Sequence, residues 1–320
     1  MFAITDPNKS AITSAAKALI GGALVGIPTE TVYGLAADAE NREAVARIYS
    51  VKGRPQDHPV IVHIGSRDHI VKWAINVPGY ALKLAKEFWP GPMTLILERS
   101  ELAKDFITGG QETLGLRVPA HATALALLEE FHKLGGNGIA APSANRFGAV
   151  SPTNAEAVKS ELGQFLDKSR DLIIDGGQSL VGVESTIIDC TEEFPTILRP
   201  GAITEEMIFN CTALYLFQRK KNFKRVSGSL DKHYSPNAKV SIGGTVNPGN
   251  GFLALLKIAT PLGAIRLASP KTMEDFARVL YASLRDADIM GIEKVVVVAP
   301  ENIGIGVAIN DRLNKASFDS

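Results

Sequence analysis

Residues 294–300, KVVVVAP, place four consecutive valines between a lysine and an Ala-Pro stop. β-branched side chains favour extended backbone, and successive residues of a strand point to opposite faces. Four in a row therefore make a strand apolar on both sides, which has to be covered on both, as in a parallel sheet flanked by other layers. Covering helices are close at hand: an amphipathic pattern from about Thr272 to Met290 and a last helix from about Asn310. With AKVSIG (238–243), GFLALLKI (251–258) and GAIRLAS (263–269) as further strands, residues 238–320 read as a small α/β unit.

The preceding stretch has a different composition. YLFQRKKNFKRVSGSLDKHYSP (215–236) carries six Lys or Arg against one Asp, with Gly, Ser and Pro and no apolar period. We read 211–237 as a basic linker. Upstream, residues 1–210 alternate short apolar runs with helical patterns. ALVGIP (23–28), VIVHI (60–64), MTLILER (93–99), TLGLRVP (113–119) and GIAAPSAN (138–145) are strand-like, as are DLIIDGG, STIIDCT and TILRPG further on. Helical spacing marks Ser10–Leu19, Arg42–Val51 and residues 66–74, 79–88, 121–134 and 154–162. The chain as a whole is predicted to be α/β, its first part an α+β three-layer domain with a twisted mixed sheet.

Bulk properties remove several function classes. The 34 basic and 34 acidic side chains cancel, which argues against a surface that traps nucleic acid everywhere while leaving room for a local basic patch. Cys190 and Cys211 are the only cysteines and have no metal-ligand spacing, so a reducing, cytoplasmic compartment fits. The start MFAITDPNKS lacks a basic region followed by a long apolar core, and no apolar run is long enough to span a bilayer.

The densest polar constellation falls on strand ends and loops of the first part, where open α/β sheets bind ligands. PTETVYGLAADA (28–39) sets Thr29, Glu30, Thr31 and Tyr33 after a buried strand, and KGRPQDHP (52–59) supplies Lys52, Arg54 and His58 on a turn frozen by Pro55 and Pro59. His63 ends the next strand, and Thr113 and Arg117 bound another. APSANRFGAVSPT adds Ser143, Asn145, Ser151 and Thr153; Ser185 and Arg199 follow. Each residue also has a plain role. Thr31 or Thr153 can cap a helix, Arg117 can pair with a buried carboxylate, His63 can be a hydrogen-bonded core histidine, and Lys52 and Arg54 can complement a helix dipole. His58 and His63 have no third partner at zinc-ligand spacing, so no metal held by protein side chains is expected. Together, though, Lys52, Arg54, Arg117 and Arg199 exceed what one carboxylate needs. Arginine forks suit carboxylate and phosphate, and lysine acts as a point charge on phosphate. A nucleotide plus a small zwitterion would use this set. No phosphate-binding glycine loop is present, and GIGVAI (304–309) satisfies only part of a dinucleotide fingerprint. Side chains would have to hold any phosphates.

At this point a resemblance becomes visible. GIPTETVYGLAADA, KGRPQDHPVIVHI, WPGPMTLILE, LGLRVPAH, APSANRFGAVSPT, VGVESTIID and ILRPGAIT resemble, in order, the motifs of YrdC-type threonylcarbamoyl-AMP synthases. HYSPNAKV and GIGVAINDRLNKAS resemble the linker and the Rossmann-like C-terminal domain of the long, two-domain form. The resemblance implies a reaction: L-threonine, bicarbonate and ATP, with Mg2+ accompanying ATP, give threonylcarbamoyl-adenylate and pyrophosphate. The product would pass to a downstream threonylcarbamoyl transferase that modifies tRNA next to the anticodon. It also implies roles. Thr31, His63, Arg117, Ser143 and Ser185 would hold threonine or its carbamate, with Arg117 on the carboxylate. Lys52, Arg54, His58, Thr113, Asn145, Ser151, Thr153 and Arg199 would contact ATP, and Tyr234 of the linker would close over it. Lys52 and Arg54 are the residues expected to act on the triphosphate, and Ser143 serves either substrate. The linker lacks the early proline that such linkers often carry. A competing reading is a double-stranded RNA or tRNA-binding module without catalysis, its cations tracking phosphates. Another is a hydrogenase-maturation carbamoyltransferase, but the acylphosphatase and zinc-finger-like segments of that class are missing here.

Overall fold

The computed structural model describes residues 3–217, 224–228 and 233–317. Much of the basic linker expected over 211–237, including Arg219, Lys220, Lys221 and Lys232, lies outside the described residues.

Helix starts follow side-chain chemistry. Asn8, Asn41, Asn154, Thr204 and Thr272 each accept a hydrogen bond from a backbone N–H three residues on, opening α1 (Lys9–Ile20), α2 (Arg42–Lys52), α7 (Ala155–Leu162), α8 (Glu205–Thr212) and α9 (Met273–Ile289). The remaining helices are α3 (Ile70–Trp73), α4 (Gly79–Phe88), α5 (Asp105–Thr108), α6 (Ala122–Lys133) and α10 (Gly306–Ala316). The α2 helix stops at Gly53, which takes the left-handed conformation (φ 63°) that glycine enters without penalty.

Nine strands form one mixed sheet: β1 (Val25–Ile27), β2 (Gly34–Asp38), β3 (Ile61–His63), β4 (Met93–Glu98), β5 (Thr113–Arg117), β6 (Ile139–Ala140), β7 (Leu172–Ile173), β8 (Thr186–Asp189) and β9 (Thr196–Arg199). Their order is β7-β1-β2-β6-β3-β5-β4-β8-β9. Strand alternation divides the core between the two faces. Leu35 and Ala37 join Ile48, Trp73, Leu95 and Leu116, whereas Ala36 joins Leu19, Val25, Ile27, Leu127 and Phe131. The register of β3 against β5 sets His63 beside Arg117.

The second sheet contains β10 (Lys239–Ile242), β11 (Gly251–Leu253), β12 (Ile265–Ala268) and β13 (Lys294–Val297), all parallel, in the order β10-β13-β11-β12. The valine strand is central, as its apolarity requires. Its two faces are covered differently. Val295 and Val297 cluster with apolar residues of both α9 and α10, but Val296 packs with Phe252, Ala254 and the loop residues Val246, Ile258 and Ala264. One face is therefore closed by loops rather than by a second helical layer. GFLALLKI is a strand only to Leu253; Arg266 donates to the carbonyls of Ala254, Leu255 and Ile258, fixing the rest as a turn. The last helix starts at Gly306, four residues before the expected Asn310. Strand β2 escaped the pattern because Gly34, Ala36 and Ala37 carry little β preference, and α8 is a short helix immediately before the linker.

The two parts share a core. Val32, Val150 and Val183 of the first part are buried among Phe276, Leu280 and Leu284 of α9 and Leu313 of α10. Among the described residues no helix is long and apolar enough to cross a membrane.

Candidate active site

The loops after β1, β6 and α2 converge where the two parts meet. Tyr33 N donates to the Pro152 carbonyl, Leu35 N to that of Pro142, and Ala144 N to that of Tyr33, so the PTETVYG and APSAN segments lie side by side. The cleft between them is lined by Thr31, Arg54, His63, Arg117, Ser143, Ser185, Arg199 and Tyr234, all expected from the sequence. Thr29, Tyr33, Glu184, Ser227, Gly228 and His233 complete much of the wall.

The cations on this wall are tightly held. Arg117 Nη2 donates to Glu30 Oε1 at 2.6 Å and its Nε to the Gly91 carbonyl, while Glu30 Oε2 accepts from Ala120 N at 3.0 Å. The pairing of Arg117 with a buried carboxylate is thus realised at the cavity wall. Arg199 donates from Nε and Nη2 to the Ser185 carbonyl (3.1 and 3.0 Å) and from Nη1 to the Ser227 carbonyl (2.9 Å). The Ser185 hydroxyl bonds Thr94 Oγ1 at 2.7 Å. Arg54 donates to the Pro59 carbonyl at 2.9 Å and lies over the Phe147 ring, its Nε having no partner among the described residues. Burial, and then its neighbour Arg117, pulls the His63 pKa down to about 3, so this histidine is neutral.

Six expected residues stand elsewhere. Lys52 is the last residue of α2, not part of an open turn. It is buried, and its Nζ donates to the carbonyls of Ser143 (2.6 Å) and Asn145 (2.5 Å). Burial, then Arg54, lowers its pKa well below the usual lysine value. In this conformation its ammonium braces the APSAN loop behind the wall. Asn145 donates to the carbonyls of Arg146 and Ala149, and Ser151 donates to Glu184. Thr153 is buried, its carbonyl accepting from Ser179 N. His58 meets the Phe147 ring edge-on. Thr113 lines a neighbouring hollow with Pro59, Ile96, Ile187 and Val226.

Of the described linker residues, Ser227, Gly228, His233 and Tyr234 line the cavity, and 224–226 are fastened beside it. Lys224 forms an ion pair with the buried Asp189 at 2.7 Å and also hydrogen-bonds Thr191, and Arg225 pairs with Asp57. Val226 packs on Ile96 and Ile187. Under this strap the cavity retains about 50 Å3, far below the several hundred Å3 of a nucleotide site. A nucleotide-sized ligand would need a wider cavity than this one.

Residues from the C-terminal part complete the surroundings, and sequence reasoning missed them. Glu184 Oε1 accepts from Ser151 at 2.6 Å, and its Oε2 accepts from Tyr281 at 2.9 Å and from Arg312 Nε at 2.9 Å. Burial alone would raise this carboxyl, but Arg312 and Arg199 pull it down to about 2. Glu184 sits inside the quoted VGVESTIID motif. Tyr281 and Arg312 lie about 100 and 130 positions further on and carry no local signal. Among the described residues no three His, Cys, Asp or Glu side chains converge as metal ligands.

Comparison with known proteins agrees with this architecture. The family described as "Telomere recombination" (Sua5, YciO, YrdC) matches residues 17–201, and "Threonylcarbamoyl-AMP synthase, C-terminal domain" matches residues 203–317. The threonylcarbamoyl-AMP synthase of Pyrococcus abyssi is 38% identical over 320 aligned positions, covering 92% of this chain and 91% of that one. The Bacillus subtilis threonylcarbamoyl-AMP synthase is 36% identical, covering 97% of this chain and 94% of its own. The solved structure of P. abyssi Sua5 complexed with L-threonine superposes with a TM-score of 0.88 at 35% identity, covering 99% of this chain and 98% of that one.

Proposed function

The chain belongs to the Sua5/YrdC family of threonylcarbamoyl-AMP synthases, and from that premise we propose how its cleft works. The protein is a nucleotidyl-transferring enzyme of tRNA threonylcarbamoyladenosine synthesis. In our reading, the amine of L-threonine and bicarbonate condense with loss of water to a carbamate, whose oxygen attacks the α-phosphorus of ATP. The bond to the β-phosphate oxygen breaks, and pyrophosphate leaves. Such a step needs little covalent help. It needs two anions held in line and the charge on the departing pyrophosphate neutralised.

The observation that carries this reading is the convergence of Arg54, Arg117 and Arg199 with Thr31, Ser143 and Ser185 on one cavity. We assign the threonine carboxylate to Arg117, its amine and side chain to the Thr31, Ser143, Ser185 and His63 side, and the phosphates to Arg54 and Arg199. Neutral His63 fits a neighbour that accepts or donates a hydrogen bond without adding charge. Tyr234 closes over the nucleotide. ATP contacts from Lys52, His58, Thr113, Asn145, Ser151 and Thr153 rest on the family motifs and take effect once the strap moves. Magnesium is proposed to arrive on the ATP phosphates, where it supplies charge neutralisation. The nearby carboxylates Glu30 and Glu184 are engaged by Arg117 and Arg312. We assign catalysis to residues 1–210, closure to 211–237, and a supporting surface to 238–320, with a threonylcarbamoyl transferase as consumer of the product and the cytoplasm as the site of action.

The test is pyrophosphate release from ATP with L-threonine and bicarbonate, against serine and against no amino acid. Release is expected to depend on threonine. A charge-assisted contact contributes about 1.5–3 kcal/mol, so Arg54→Ala should lower turnover about tenfold to a hundredfold. Wild-type turnover in that variant overturns the role of Arg54.

A further inference from the structure

Glu184 is the one carboxylate among the described residues lining the cavity. A bare anion there would oppose a bound triphosphate. Arg199 adds some counter-charge, but the direct ion pair comes from the other part of the chain, from Arg312 on α10, which is 1% exposed. The same guanidinium has a second partner: its Cζ lies 5.3 Å from the Tyr234 ring centroid. Tyr281, which also donates to Glu184, stacks on the Tyr234 ring itself at 5.6 Å between centroids. Tyr234 is thus gripped by two groups that both hold Glu184. From Glu184 the network runs through Ser151 into the APSAN-to-SPT loop. Asp311 accepts from Arg312 Nη1 at 2.6 Å and pairs with Lys315, whose Nζ reaches the Gly228 carbonyl at 2.9 Å. Arg312 Nη2 is buried without a partner among the described residues.

The contacts that cross between the two parts share a direction: Arg312, Tyr281 and Lys315 of α9 and α10 reach Glu184, Tyr234 and Gly228, all of which line the cavity. Val32, Val150 and Val183, from the PTETVYG, APSAN-to-SPT and VGVEST segments, are buried in one cluster with Phe276, Leu280, Leu284 and Leu313, so the same segments that carry the cavity wall are packed against α9 and α10. We propose that Arg312 is a positioning residue of the active site. It neutralises Glu184 and fixes the Tyr234 ring, so that the C-terminal domain completes the nucleotide side of the cleft. The inference deepens the synthase reading and rests on it.

The experiment uses the full-length protein and separates ATP from threonine. Arg312→Met alone would leave a buried carboxylate unpaired and endanger folding, so it is combined with Glu184→Gln, which keeps one acceptor oxygen for one of the two hydroxyls and offers an amide N–H to the oxygen of the other. With the anion and its counter-charge removed together, the double variant tests the hold on the Tyr234 ring: it is expected to melt within a few degrees of wild type and to show a KM for ATP at least tenfold higher. Its KM for threonine should stay within about twofold. Arg312→Lys, which keeps the charge but loses the fork, should fall between the two. An unchanged KM for ATP in a folded double variant overturns the proposal, as does an equal loss toward both substrates. If the double variant does not fold, Arg312→Lys decides: wild-type ATP parameters overturn the proposal. Calorimetric titration of ATP into wild-type and variant protein runs in parallel. A wild-type protein without threonine-dependent pyrophosphate release defeats the synthase reading, whereas tenfold weaker ATP binding in the double variant still supports the positioning role.

Discussion

The floor and the cover of the cleft are built on different principles. The floor belongs to the nine-stranded sheet, and most of its polar heads are tied by hydrogen bonds across long stretches of sequence. Arg117 is tied to Glu30, Ser185 to Thr94 and Arg199, and Lys52 to two loop carbonyls. The cover is tied at its edge by Lys224 to Asp189 and Arg225 to Asp57, but the side chains of His233 and Tyr234 over the cavity rest on ring contacts and a cation over a ring. His233 Nδ1 and Tyr234 Oη are buried with no hydrogen-bond partner among the described residues, and Tyr234 adopts φ 59°. A non-glycine residue in that region stores of order 1–3 kcal/mol of strain. Gly228 in turn sits where a Cβ would come 2.4 Å from the Tyr234 hydroxyl. The floor has exceptions of its own, His63 Nδ1, Arg54 Nε and Asn145 Oδ1 also being unpartnered among the described residues. A floor tied in this way is preorganised for substrate. A cover with unpaired groups has something to gain by exchanging its contacts for a ligand's.

The sharpest way to break this contrast is to cut one tie in the floor. Glu30→Ala removes the partner of a buried guanidinium and leaves the Ala120 N–H without its acceptor. Unfolding free energy, measured by denaturant titration, should fall by about 3–5 kcal/mol. Threonine-dependent turnover should fall as well, because Arg117 loses its anchor. A loss below about 1 kcal/mol would mean that the floor is no better tied than the cover.

Acid should act on both regions, with a sign fixed by the two histidines. Burial is the main cause that takes His63 and His233 from the usual 6.5 to about 3; Arg117 adds to it at His63. Between those values the unfolded chain binds more protons than the native one. Stability from each histidine is therefore complete above about pH 6.5 and is lost as pH falls toward 3. At pH 5 the loss is about 2 kcal/mol per histidine. His233 lies in the cover, so its share should appear first as local opening, read by faster proteolysis at 224–228 or 233–236 as pH drops from 7 to 5. His63 lies in the sheet, and its share should appear in the global unfolding transition. His233→Gln should remove the first effect and His63→Gln the second. Proteolysis that is independent of pH would contradict this division.

The same contrast explains what the sequence disclosed. Floor residues are legible because strand ends and proline- or glycine-bounded turns write them into short motifs: PTETVYG, LGLRVP and VEST each hold residues that the fold keeps together. Even the pairing of Arg117 with a carboxylate was open to a reader who asked why a guanidinium ends an apolar strand. The cover was partly legible, through His233 and Tyr234, because HYSP is a local signal. Arg312 and Tyr281 were not legible. Their role arises from docking two cores across more than a hundred residues, and on α9 and α10 they read as ordinary helix positions. Lys52 shows the converse limit. The spacing placed it correctly beside Arg54, but its direction depends on where the helix ends, and the helix carries it into the APSAN carbonyls rather than to the cavity.

The smallest expected effect tests the cover at a single atom. Tyr234 Oη is buried, has no partner among the described residues, and is pushed up to about 12 by burial and then by Glu184, so it stays protonated at neutral pH. An unpaired buried hydroxyl is a liability of about 1–3 kcal/mol, and Tyr234→Phe removes it while keeping the ring between Arg312 and Tyr281. Stability should then stay within about 0.5 kcal/mol of wild type or rise by about 1 kcal/mol. If the hydroxyl instead serves ATP once the strap has moved, the same substitution should raise the KM for ATP about threefold to tenfold, one hydrogen bond's worth. Stability unchanged with ATP affinity reduced is the signature of a cover made for exchange. A variant that loses stability and keeps its ATP affinity would show that the hydroxyl is tied into the protein after all, and that floor and cover differ less than their contacts indicate.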